Sequence, residues 1–245
     1  MANWSDPRIG GGGNPTATAG RADVAVDAGL RSYMLSVYNY MASGVLWTGI
    51  VALLFASSGL AAQVLMGQGL LKYVIMFAPL GFVFAISFGV NRMSTGTLQL
   101  LYWLFATVMG LSLSSIFLVF TGASIAQTFF ATAVAFLSLS LYGYTTKRDL
   151  SAMGTFLIMG VVGLLVAMII NLFLQSPAMH YAISFIGVLL FAGLTAYDTQ
   201  RIKSIYFHVA GTDMMGKTAI LGALSLYLDF VNMFTFLLQF MGSRE

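Results

Sequence analysis

Of the 245 residues, 59% are hydrophobic and only 8% are charged. With a mean hydropathy of +0.89, this is far from the roughly one-quarter charged content of soluble domains, so the chain reads as an all-α, polytopic membrane protein. No cysteine is present, which excludes a disulfide framework, a thiolate metal site and a cysteine nucleophile together. The net charge of +3 comes from basic residues scattered singly between apolar runs, a pattern that speaks for membrane topology and against nucleic-acid binding.

In chain order, residues 1–30 come first. They hold the Gly10 to Gly13 run, Pro7, Pro15 and small or charged residues without an apolar core, and are expected to be a disordered cytoplasmic tail with no cleavable signal peptide. Residues 31–243 form the membrane domain. Seven apolar stretches are each long enough for a ~30 Å hydrocarbon core: Tyr33 to Ser57, Tyr73 to Val90, Thr97 to Phe120, Ser124 to Tyr144, Met153 to Phe173, Tyr181 to about Phe207, and Ala219 to Met241. In a seven-span arrangement Arg8, Arg21, Arg31, Arg92, Lys147, Arg148, Arg201, Lys203 and Lys217 fall on one side, and only Lys72 and Arg244 on the other. The positive-inside rule then places the N-terminus in the cytoplasm and the C-terminus outside. The rival is a six-span arrangement in which the last stretch lies in the interface or re-enters.

Two acids stand inside these spans, Asp198 in the sixth and Asp229 in the seventh. An intramembrane carboxylate costs several kcal/mol unless it is paired, protonated or facing water, so each is a functional-site candidate. If the sixth helix continues to about Phe207, both lie nine or ten residues from the cytoplasmic end, and the two carboxylates are expected to face each other. The long stems of Arg201 and Lys203 then snorkel towards water. Gly222, Ser225, Asp229 and Asn232 recur at spacings of three, four and three, which makes one small, polar stripe. Purely structural alternatives remain at this stage: Asp229 bonded locally to Asn232 and Tyr227, and Asp198 paired with Arg201 one turn away.

Two carboxylates in contact at low dielectric cannot both ionise cheaply, so a facing pair holds one proton in common. Loss of that proton makes the pair repel itself or admit a cation, and its gain locks the helices by a hydrogen bond. Calcium is the cation suited to oxygen ligands, although two carboxylates fall short of its usual six to eight. Asp198 and Asp229 are thus expected to be a transient calcium site and not a storage site. No cofactor is expected.

Other motifs carry less. Gly211 to Thr218, GTDMMGKT, satisfies the phosphate-loop pattern, but that pattern needs a preceding strand of a parallel sheet, and here it joins two membrane spans; no nucleotide is expected. His180 and His208 lack metal-ligand spacing. The sequon Asn3-Trp4-Ser5 lies in the tail. Methionines and phenylalanines are packing or lipid-facing residues.

Three segments, MGLSLSSIFLVFTG from Met109, LYGYTTKRDLSAMGTFLIMG from Leu141 and FAGLTAYDTQRIK from Phe191, together resemble the bacterial branch of the Bax inhibitor-1 family, with the likeness running from about Arg31 to Gly242. The resemblance implies seven transmembrane helices in two triplets around a central C-terminal helix. It also implies a pH-sensitive calcium leak controlled by two aspartates, which map onto Asp198 and Asp229, in an inner membrane. An arginine latch on the sixth-helix aspartate is implied as well, for which Arg92 at the end of the second span is the candidate; its bland alternative is a positive-inside anchor. The alternative, a non-conducting regulator that binds a membrane protease or stress factor, is also allowed by the resemblance. An intramembrane aspartyl protease shares the Tyr197-Asp198 pattern, but the Leu226-Tyr227-Leu228 before Asp229 replaces the Gly-x-Gly that such an enzyme carries, so no enzyme is expected.

Overall fold

The structure is a computed structural model that describes residues 15–67 and 69–244, with side chains from Val26 onward. Eight α-helices follow one another: α1 (Pro15–Ser57), α2 (Leu60–Leu65), α3 (Leu71–Gly89), α4 (Thr95–Leu113), α5 (Gly122–Thr145), α6 (Ser151–Leu174), α7 (Pro177–Val209) and α8 (Met214–Met241). Seven of them, all but α2, are long and apolar enough to cross a membrane. This is the expected all-α polytopic architecture, and Asp229 belongs to a full-length helix.

The first helix departs from expectation. Residues Pro15 to Leu30, expected to be disordered, continue α1, whereas Met1 to Asn14 of that tail lie outside the described residues. Ala17, Ala19, Ala22, Ala25 and Ala28 supply helix propensity that hydropathy does not register, and Pro15 takes the first helical position, where its missing N–H costs nothing. Near the membrane surface the helix is held by packing, with Leu30, Tyr33 and Met34 buried and the Tyr33 and Tyr206 rings 5.5 Å apart.

The helices form two triplets. In one, α4 packs on both α1 and α3; in the other, α7 packs on both α5 and α6. Between them lies α8, in contact with α1, α4, α5 and α7 and the most buried of the seven spans. The central C-terminal helix is therefore present. Its Tyr227 shows how α8 is fixed: the hydroxyl meets Thr48 Oγ1 of α1 at 2.7 Å and the ring packs edge-on against Phe105 of α4. Close approach of α1 to α4 depends on Gly110, where a Cβ would lie 2.7 Å from the Thr48 carbonyl oxygen. At the opposite end, the chain after α8 is tied down by Thr121 N–H donating to the Ser243 carbonyl at 3.1 Å and by a single antiparallel bridge between Phe120 and Arg244.

A proline inside a membrane helix leaves the carbonyl four residues earlier without its donor, and lipid offers no substitute. Pro79 in α3 does this to Ile75, and Ser112 Oγ of α4 donates to that Ile75 carbonyl. Ser112→Ala is therefore expected to destabilise the protein by about 1 kcal/mol. In a Pro79→Ala background, where the restored N–H serves the carbonyl, the same change is expected to cost almost nothing. Thermal unfolding in detergent of the two single variants and the double variant measures this coupling.

Candidate functional site

The acids sit on the α7–α8 contact. Helix α7 runs unbroken through Arg201 and Lys203 to Val209, as the depth argument required. Two close approaches fix its register on α8: Gly222 lies against Ile202, and Gly187 against Phe236. In an antiparallel pair this sets Asp198 opposite Leu226 and Asp229 opposite Thr195, an axial offset of three residues, or about 4.5 Å. Asp198 precedes Ile202 by one turn and Asp229 follows Gly222 by two, so both carboxylates lie on the facing stripes.

Their surroundings differ. Asp229 is 4% exposed, and its Oδ2 is buried with no hydrogen-bond partner among the described residues. Asp198 is half-buried, and the guanidinium whose charge acts on it is that of Arg201, one turn further along α7. Ser225 and Asn232 are half-buried on the same stripe as Asp229.

Arg92 is not brought to Asp198. It stands exposed in the turn between α3 and α4, beside the start of α8, where Lys217 Nζ reaches the Val90 carbonyl at 3.4 Å. The α7–α8 register puts Lys217 level with Phe207, roughly 13 Å along the axis from Asp198. The phosphate-loop look-alike has a plain structural use. Gly211, at φ +76°, makes the turn between α7 and α8, and Gly216 to Thr218 begin α8.

A row of hydroxyls beside Asp198 escaped sequence reasoning. Tyr38 of α1 bonds Ser140 of α5 at 2.5 Å, Ser140 bonds Thr199 of α7 at 2.9 Å, and Thr199 donates to the Thr195 carbonyl at 2.8 Å. Thr195 and Thr199 are fully buried. Their spacing of four residues on either side of Asp198 was the available signal. The row joins both triplets to the helix that carries Asp198. No group of three or more His, Asp or Glu side chains converges among the described residues.

At the end of the bundle where α5 passes to α6, Gln200 of α7 clamps the connection, accepting from Leu150 N–H at 2.9 Å and donating to the Arg148 carbonyl at 2.7 Å. Asp149 in this connection accepts from Ser151, which lowers its carboxyl below the ordinary 3.8. A depressed carboxyl stabilises the fold above its unfolded value and loses that contribution only as pH falls through the lower, folded value. Asp149→Asn is therefore expected to leave any pH-dependent activity between about pH 5 and 9 unchanged, read as the same pH profile in the same assay.

The family model for "Inhibitor of apoptosis-promoting Bax1" matches residues 30–245. The chain belongs to the Bax inhibitor-1 family. Its similarity to individual relatives covers nearly the whole length. It is 46% identical over 231 residues to a Rickettsia prowazekii protein, covering 94% of this chain and 97% of that one. It is 43% identical over 220 residues to the inner membrane protein YbhL of Escherichia coli K12, covering 89% and 94%. A Streptococcus pyogenes membrane protein is 34% identical over 221 residues, covering 89% and 96%. As a Bax inhibitor-1 family member the protein is a membrane protein, and the three segments noted at the outset all fall within the matched residues.

Proposed function

We propose that this protein is a pH-sensitive cation leak, with Ca2+ as the cation, in which one proton held between Asp198 and Asp229 controls the fit of α7 against α8. The observation that supports the reading is the placement of both acids on the α7–α8 contact, with a buried Asp229 carboxylate oxygen that has no partner among the described residues. Protonated once, the pair bonds and the helices close. Deprotonated, it repels across the α7–α8 contact, and a cation entering from the cytoplasmic side relieves that repulsion. Thr195, Thr199 and Ser225 offer further oxygens nearby. Arg201 holds Asp198 from the aqueous end in this arrangement, and Arg92 serves as an anchor unless its turn moves inward. The family membership and the inner-membrane description of YbhL support placement in a bacterial inner membrane, and the basic-residue bias supports a cytoplasmic N-terminus and an external C-terminus. No catalysis is assigned.

A second reading, a non-conducting regulator of another membrane protein, draws on one observation. Two apolar cavities along the bundle, of about 680 and 330 Å3, include neither aspartate in their walls. Calcium flux into liposomes holding the purified protein separates the readings. Flux above protein-free liposomes that changes with pH is expected; its absence at every pH transfers the function to the regulator.

A further inference from the structure

The bundle is open to the bilayer between α1 and α5. Both helices pack on α8 without extended packing on each other, and the gap is a cavity of about 680 Å3 with Phe230 of α8 in its floor. Leu35, Met41 and Leu46 of α1 face Phe136, Leu137 and Leu141 of α5 across it. A second cavity of about 330 Å3 shares Val45, Phe129 and Phe230 and prolongs the slot along α1 to Ala52. From Arg31 to Leu46 alone the slot follows α1 for about 22 Å, longer than the ~15 Å depth of one leaflet.

One end of this apolar slot is basic. Arg31 lines it together with Tyr144. Lys203 Nζ lies 4.7 Å from the centre of the Tyr144 ring and donates to the Tyr144 carbonyl at 2.8 Å. No carboxylate lines the cavity among the described residues; Asp27, one turn before Arg31, is exposed. Both cations are on the side where most of the basic residues gather.

We propose that the slot is a binding site for an anionic phospholipid, with one acyl chain between α1 and α5 and the headgroup phosphate against Arg31 and Lys203. The apolar walls accept any chain, and the selectivity comes from the end. Two cations with no acid in the cavity wall among the described residues attract a net negative headgroup, whereas a zwitterionic one brings its own ammonium against them. The bound chain would lie over the Tyr38–Ser140 hydrogen bond, a polar rung in the slot that leads on to Thr199 beside Asp198. The binding itself does not depend on the cation-leak reading.

Native mass spectrometry of the detergent-purified full chain, titrated in turn with phosphatidylglycerol and phosphatidylcholine of the same acyl composition, tests this. The wild type is expected to retain phosphatidylglycerol about tenfold or more better, and Arg31→Gln and Lys203→Gln each to lose about fivefold of that preference. Ala42→Trp, which fills the slot from an exposed position of α1, is expected to lose retention of both lipids. Equal retention of the two lipids by the wild type would overturn the proposal, as would an undiminished preference in Arg31→Gln or wild-type retention by Ala42→Trp; each marks the lipid as annular only. Should Ala42→Trp not fold, the Arg31→Gln comparison decides alone, since that side chain is exposed and its loss leaves the bundle intact.

Discussion

Asp229→Asn is expected to leave a folded protein whose calcium flux no longer responds to pH, with the ratio between its extremes reduced at least about tenfold, the equivalent of 1.4 kcal/mol in the closing equilibrium. The amide has nearly the shape of the carboxyl group and cannot ionise, so the repulsion that opens the α7–α8 contact never develops. The site is deeply buried, and Oδ2 has no hydrogen-bond partner among the described residues. A neutral group there removes the cost of charge burial without creating a void. Asp198→Asn is expected to blunt the response without abolishing it, because Asp198 is half-buried and shares its charge with Arg201. Flux into liposomes across about pH 5 to 9, with thermal unfolding as the folding control, reads both effects. Equal pH dependence in wild type and Asp229→Asn would remove Asp229 from the mechanism.

Gly143→Val is expected to be among the most damaging single changes in the bundle. A Cβ at Gly143 of α5 would fall on the carbonyl of Ala196 in α7, which is backbone and cannot turn aside. The two helices must separate, at a cost of about 3 kcal/mol. The separation pulls at the Ser140–Thr199 hydrogen bond one turn away and displaces the segment of α7 that ends in Asp198. The expected result is a markedly lower unfolding temperature and, in whatever folds, an altered pH response. A variant with wild-type stability would mean that α5 and α7 do not approach through Gly143. Small residues that let membrane helices touch backbone to backbone make the same argument general.

The spans were legible because lipid imposes a length and an apolar composition that few other environments require. Asp198 and Asp229 stood out for the converse reason, being charged where charge is costly. Even the far end of α7 could be placed, since only a helix continuing past Arg201 brings the acids to similar depths. The extension of α1 to Pro15 could not be placed. Hydropathy is silent on an alanine-rich helix outside the apolar core, where propensity and not burial decides. The Ser112–Ile75 contact was equally hidden: Pro79 announces an unserved carbonyl, but the donor lies on another helix. The hydroxyl row from Tyr38 to Thr199 spans three helices, so no single stretch of sequence displays it. Order along the chain singles out Arg92 as the arginine near the membrane on the cytoplasmic side before the fourth span; the fold sets it exposed near Val90 and Lys217 at the head of α8, while Arg201 stands one turn from Asp198.

The most direct test of the shared proton is infrared spectroscopy of the reconstituted wild-type protein during a pH titration, followed in the same liposomes by calcium flux. A shared proton predicts a protonated-carboxyl absorption that disappears over the pH interval in which flux changes, and that this transition is missing from the Asp198→Asn, Asp229→Asn double variant. A flux transition with no accompanying change in that absorption, or one that survives in the double variant, would contradict it.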